Sequence, residues 1–72
     1  MNERTFKLKE GQPYIELNKL LQIMQLAQTG GHAKIMIQNE EVIVNDVIET
    51  RVRKKLVKSD RIVVDDQHIK IL

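Results

Sequence analysis

The chain has 72 residues, no cysteine, a single Tyr and a single Phe, and 12 basic against 10 acidic side chains, for a formal net charge of +2. That length gives one small domain over residues 1–72, able to bury only about 60% of its unfolded surface, and the lack of cysteine excludes disulfides and thiolate–zinc sites. No apolar run approaches the roughly 18 residues of a membrane span, no signal-peptide core opens the chain, and two aromatics are too few to stack successive bases of a single strand, so a cytoplasmic protein with no membrane partner is expected.

Thr5 to Lys9 alternates apolar and polar residues, the period of a short half-buried strand, and Gly11-Gln12-Pro13 breaks it. From Tyr14 the apolar positions Leu17, Leu20, Leu21 and Met24 follow the i, i+3, i+4, i+7 series of an amphipathic helix. Ile15, Ile23, Leu26 and Ala27 widen its apolar face, which then needs cover from more than one element. Thr29-Gly30-Gly31 is expected to end this helix, glycine taking the left-handed position after it. His32 to Gln38 forms a second, short helix with Ala33, Met36 and Ile37 on one side, and Asn39-Glu40-Glu41 connects onward. Val42–Val44 and Val47-Ile48 read as a hairpin around Asn45-Asp46, residue types that tolerate positive φ. Ser59-Asp60 marks a turn, and Arg61–Val64 and His68–Leu72 flank Asp65–Gln67 as a closing hairpin, with His68 on an edge strand. The order of one strand, two helices and three or four strands is α+β: two helices packed on a small, mainly antiparallel sheet with a C-terminal hairpin.

Charge is segregated along this order. Arg51 to Lys58 holds five of the twelve basic residues (Arg51, Arg53, Lys54, Lys55 and Lys58) and no acid, while the other 64 residues carry a balance of −3. Such a patch is the electrostatic footprint of a phosphate-backbone binder; the bland alternative is a solvated loop that keeps a small protein in solution. With so few aromatics, recognition would run through phosphates, backbone amides and shape.

The residues from Thr29 to Ile62 then form a series: Thr29-Gly30-Gly31-His32-Ala33-Lys34 opening the short helix, Val42-x-Val44-Asn45, Glu49-Thr50-Arg51, Lys54-Lys55-Leu56 and Asp60-x-Ile62. In order and spacing this resembles the RNA-binding domain named for the fourth protein of the small ribosomal subunit, the S-four domain, and within it the small stand-alone bacterial branch, whose helix opens with Ser/Thr-Gly-Gly-x-Ala-Lys. The resemblance spans Tyr14 to Leu72. It implies two helices on a small sheet (the αL-motif type), with the second helix and the hairpin facing RNA. It implies that Lys34, Asn45, Arg51, Arg53, Lys54 and Lys55 lie on or near that surface. Physical chemistry adds a helix start at Thr29-Gly30-Gly31-His32 whose free N–H groups and positive dipole end can meet a phosphate, and Lys58 from the basic run. Where the family favours glycine this chain has Glu40, Asp46 and Ser59; Asn39 and Asn45 can take the unusual backbone angles instead.

Other chemistry is poorly supplied. His32 and His68 stand 36 positions apart with no third ligand, Asp65-Asp66 reads as a turn, and Met24 and Met36 read as core filler. Ser59 is the only serine, and no P-loop or clustered acid–base pair exists, so no enzyme, no metal, no cofactor and no small-molecule substrate is expected. The sequence points to a monomeric module for structured RNA, with a ribosomal segment a candidate target. The alternatives are an adaptor whose basic patch docks an acidic protein partner, and a binder of duplex DNA.

Overall fold

The computed structural model describes residues 2–72. Its elements run β1 (Asn2–Phe6), β2 (Ile15–Glu16), α1 (Leu17–Ile23), α2 (Gly30–Gln38), β3 (Val42–Val44), β4 (Val47–Ile48), β5 (Lys55–Leu56), β6 (Arg61–Val64) and β7 (Gln67–Ile71). Five strands form a sheet in the order β1-β7-β6-β3-β4, and β2 and β5 make a separate two-stranded ladder. All pairings are antiparallel except β1 with β7, which is parallel. The α+β expectation holds.

Strand alternation builds the core. Val42 and Val44 of β3, Ile62 and Val64 of β6, and Ile69 and Ile71 of β7 all fall on one face and are buried. They join Leu17, Leu20, Leu21, Ala33, Met36 and Ile37 of the two helices in one apolar cluster that contains no buried polar side chain among the described residues. Arg4, on the same sheet face, donates from Nη1 to Met24 O at 3.0 Å and so binds the C-terminal end of α1 to β1. The sheet's other face carries half-buried Ile43 and Val63 beside His68, with Thr5 and Lys70 exposed.

Several sequence expectations are corrected. The first strand is Asn2–Phe6 rather than Thr5–Lys9, because pairing with the buried β7 decides it and alternation alone does not. The first helix is two turns, Leu17–Ile23, since Ile15 and Glu16 are drawn into the ladder with β5. Gly30 and Gly31 do not end it; they are the first residues of α2, and neither has positive φ. Gln25, at φ 61°, takes the left-handed position instead. Around it the Gln25 N–H donates to Gln22 O at 3.0 Å and the Leu26 N–H to Leu21 O at 2.9 Å, the two bonds of a Schellman closure. The helix α2 ends the same way: Glu40, at φ 63°, donates to Ile37 O, and Glu41 to Met36 O. Asn39, at φ −85°, does not relieve Glu40 of that angle. Five strands follow the helices rather than three or four, and His68 lies on β7, between β1 and β6, not on an edge.

The hairpin turn at Asn45-Asp46 forms as expected, with φ of 50° and 70°, the positive pair of a type I′ connection. Ser59, the third residue standing where the family favours glycine, is also left-handed, at φ 76°.

Candidate nucleic-acid interface

The basic segment is held in place by its backbone, which leaves its side chains outside. The first N–H groups of a helix lack intrahelical acceptors, and Glu16 at the start of α1 offers no side-chain cap. Carbonyls of the basic segment fill the gap: Leu17 N–H donates to Lys54 O at 2.9 Å and Asn18 N–H to Val52 O at 3.1 Å. Leu56 is fully buried, Val52 packs on the core, and Ile15 faces Leu56 across the β2–β5 ladder. The apolar residues and carbonyls therefore turn inward, and Arg51, Arg53, Lys54 and Lys55 line one shallow groove of about 390 Å³. Lys55 Nζ lies 5.0 Å from the centre of the Tyr14 ring, a cation–π contact that orients it.

The four cations are not equivalent. Glu49 accepts from Arg51 Nε at 2.9 Å, from Arg51 Nη2 at 3.1 Å and from the Arg51 N–H at 3.1 Å. This fork-to-carboxylate pairing holds the Glu49 carboxyl below its ordinary value and raises the Arg51 guanidinium. Arg51 thus presents a largely neutralised pair. Arg53, Lys54 and Lys55 have no acidic partner among the described residues. Arg51, a phosphate ligand by its place in the basic run, is therefore not a free cation; a Glu two residues earlier in extended chain, on the same side, is the signal for it in the sequence.

At the start of α2, Thr29 Oγ1 accepts from the His32 N–H at 3.0 Å, and His32 Nδ1 accepts from the Gln28 N–H at 3.2 Å. Thr29 is therefore the N-cap, and the His32 side chain is exposed. The Gly30 and Gly31 N–H groups have no acceptor among the described residues, and Lys34 is exposed on the same turn. The space beside Gly31 is open, the nearest atom to an added Cβ being Thr29 Oγ1 at 3.8 Å. No hydrogen bond or ion pair among the described residues joins this helix start to the basic groove.

Asn45 is occupied with the turn it forms. Its Oδ1 accepts from the Arg61 N–H at 2.9 Å, its Nδ2 donates to Asp60 Oδ1 at 3.0 Å, and its own N–H donates to Arg61 O at 2.8 Å. Asp60 Oδ2 in turn accepts from the Val57 N–H at 2.8 Å. One carboxylate thus fastens the hairpin tip to the end of the basic segment. Asp60 and Glu49 are the two positioning acids that sequence reasoning did not assign. Lys58 lies apart from the other four cations, in a second groove with Lys7 and Lys9. A further depression, of about 370 Å³ on the outer sheet face, includes Glu3, Arg61, Val63, His68 and Lys70 in its lining. No group of three or more metal-ligating side chains, and no helix long and apolar enough to cross a membrane, occurs among the described residues.

Two helices over a mixed, mainly antiparallel sheet, with a helix start and a hairpin-linked basic groove exposed, define an αL-type module. The chain belongs to the S4 domain family, whose model matches residues 3–72. Among solved structures it is similar to YbcJ from E. coli, described as having an alfaL motif involved in RNA-binding. The two are 31% identical, with 94% of this chain and 85% of that one covered and a TM-score of 0.71. No curated protein gives a match.

Proposed function

We propose that this protein is a non-enzymatic RNA-binding module that holds structured RNA by its backbone phosphates, as a monomer in the bacterial cytoplasm, with a folded ribosomal segment the candidate target. The observation that carries this reading is the groove of Arg51, Arg53, Lys54 and Lys55, in which three cations have no acidic partner among the described residues while the backbone beneath them is bonded to α1. A fixed row of cations recognises a polyanion by position and releases its counterions on binding. The start of α2 supplies a second contact, two free amides and Lys34, where the helix dipole favours an anion. Membership of the S4 domain family and the likeness to YbcJ support RNA as the polyanion.

Titrating a folded ribosomal RNA fragment over a series of salt concentrations tests the reading. Log affinity should fall linearly with log salt, with a slope reporting roughly three to six phosphate contacts. Arg53→Ala with Lys54→Ala should lower affinity about tenfold or more, with stability changed by no more than about 0.5 kcal/mol, as for other surface substitutions. Binding indifferent to salt would sink the phosphate mechanism. A stoichiometric complex with an acidic protein, formed without any RNA affinity, would turn the assignment to an adaptor.

A further inference from the structure

We infer that Lys7, Lys9 and Lys58 form a second phosphate-binding strip that extends the RNA footprint across the β1–β2 loop, an inference that rests on the RNA-binding function proposed above. The three lysines line one open groove of about 650 Å³ together with Glu10, Gly11, Gln12 and Pro13. Lys7 and Lys9 fall within the family match over residues 3–72 but outside the Thr29–Ile62 motif series.

The groove is built from two loops fixed to the same strand end. The Leu8 N–H donates to Leu72 O at 3.1 Å, the Leu72 N–H to Phe6 O at 2.8 Å, and the Ser59 N–H to Ile71 O at 2.8 Å. Consecutive residues at the end of β7 therefore secure the chain on both sides of Lys7 and the turn that follows Lys58. Leu8 is buried, so Lys7 and Lys9 on either side of it turn outward, and both are exposed. The loop beyond is closed on itself: the Gln12 N–H donates to Lys9 O at 2.9 Å, and Gln12 Oε1 accepts from the Lys9 N–H at 3.0 Å. Gly11, at φ 81°, makes that turn.

Charge and continuity point to a nucleic-acid backbone. Among the described residues no acid forms an ion pair with Lys7, Lys9 or Lys58, and Glu10 is the one acid lining the groove, which leaves it cationic. Lys58 lies three residues beyond Lys55, at most about 11 Å of extended chain, so one backbone segment supplies cations to both grooves. Lysines are mobile point charges that bind phosphates without reading sequence. The strip therefore adds affinity and fixes orientation, and leaves target choice to the first groove and the α2 start.

The test compares variants against a stable RNA hairpin over a salt series, after thermal melts show each to be folded. Lys7→Ala with Lys9→Ala should reduce the salt slope by about two, one per lost phosphate contact, and weaken binding several-fold. Lys70→Glu changes net charge by the same amount on the outer sheet face and should leave the slope nearly unaltered. Equal slopes for the double variant and Lys70→Glu, with Arg53→Ala/Lys54→Ala still impaired, would overturn the second strip and leave the first groove standing. A wild-type protein without salt-dependent RNA affinity would remove the RNA-binding reading, and the strip with it.

Discussion

Glu49 sets how much charge the basic groove offers, because its carboxylate takes both forks of Arg51 and its backbone N–H. Glu49→Gln should release Arg51 as a free cation, steepening the salt dependence of RNA binding by about one contact and raising affinity several-fold. An unchanged slope in that variant would show that Arg51 faces no phosphate. The same pair predicts an acid-side effect on stability. The folded Glu49 carboxyl lies below its ordinary 4.5, so its contribution is complete above that value and is lost as pH falls through the lowered one. Urea melts from pH 7 down to about pH 3 should therefore show wild type losing more stability than Glu49→Gln below pH 4.5, with the two curves parallel above it. The sequence displayed the basic run plainly but not its internal neutralisation. A count of charges treats Arg51 and Arg53 alike, while backbone geometry places a carboxylate against one of them. Asn45 teaches the same lesson, since the hairpin signal was legible but its side chain is spent on Asp60 and Arg61.

At the scale of elements, both helices end in a Schellman closure whose left-handed residue carries a side chain, Gln25 in α1 and Glu40 in α2. Such angles cost a side-chain-bearing residue on the order of 1 kcal/mol that glycine avoids. Glu40→Gly should therefore raise stability by up to about 1 kcal/mol in chemical denaturation, and Gln25→Gly by a similar amount; a loss in both would show that the side chains make compensating contacts. Glycine after an apolar run is the commonest stop signal, yet Gly30-Gly31 does not end α1; the motif from Thr29 that opens the short helix, with Thr29 as its N-cap, gives the start of α2 correctly. The start of α2 has its own test. Gly31→Glu places a carboxylate beside free amides in open space at an ordinary helical φ, so circular dichroism should show a folded protein. Its RNA affinity should fall strongly, with a parallel loss in Lys34→Ala. Wild-type affinity in a folded Gly31→Glu protein would mean that this helix start meets no phosphate.

Over the whole molecule, periodicity exposed the long-range plan because the core is strictly apolar and β3, β6 and β7 alternate, so the hairpins and most of the two helical faces could be read directly; Ile23, expected on the apolar face of α1, is 56% exposed. The β2–β5 ladder could not be read. Two-residue strands carry no period, and Ile15-Glu16 continues the apolar pattern of α1, so only the folded structure shows that Leu56 pins the basic segment to the body. That gives Leu56 two roles that a core residue elsewhere lacks. A domain of this size has roughly 4–11 kcal/mol of stability, and truncating a buried leucine to alanine costs about 2–5 kcal/mol. Leu20→Ala, on α1, and Leu56→Ala should each remove a large share of that margin, visible as a lower urea midpoint. Their effects on RNA should diverge. At low temperature, where both remain folded, Leu20→Ala should bind RNA nearly as wild type. Leu56→Ala should bind several-fold more weakly, because the carbonyls of Val52 and Lys54 that cap α1 and the side chains of Arg53, Lys54 and Lys55 belong to the segment it anchors. Equal RNA affinity in the two variants would mean that the bonds from Leu17 and Asn18 hold the segment in place without help from the core.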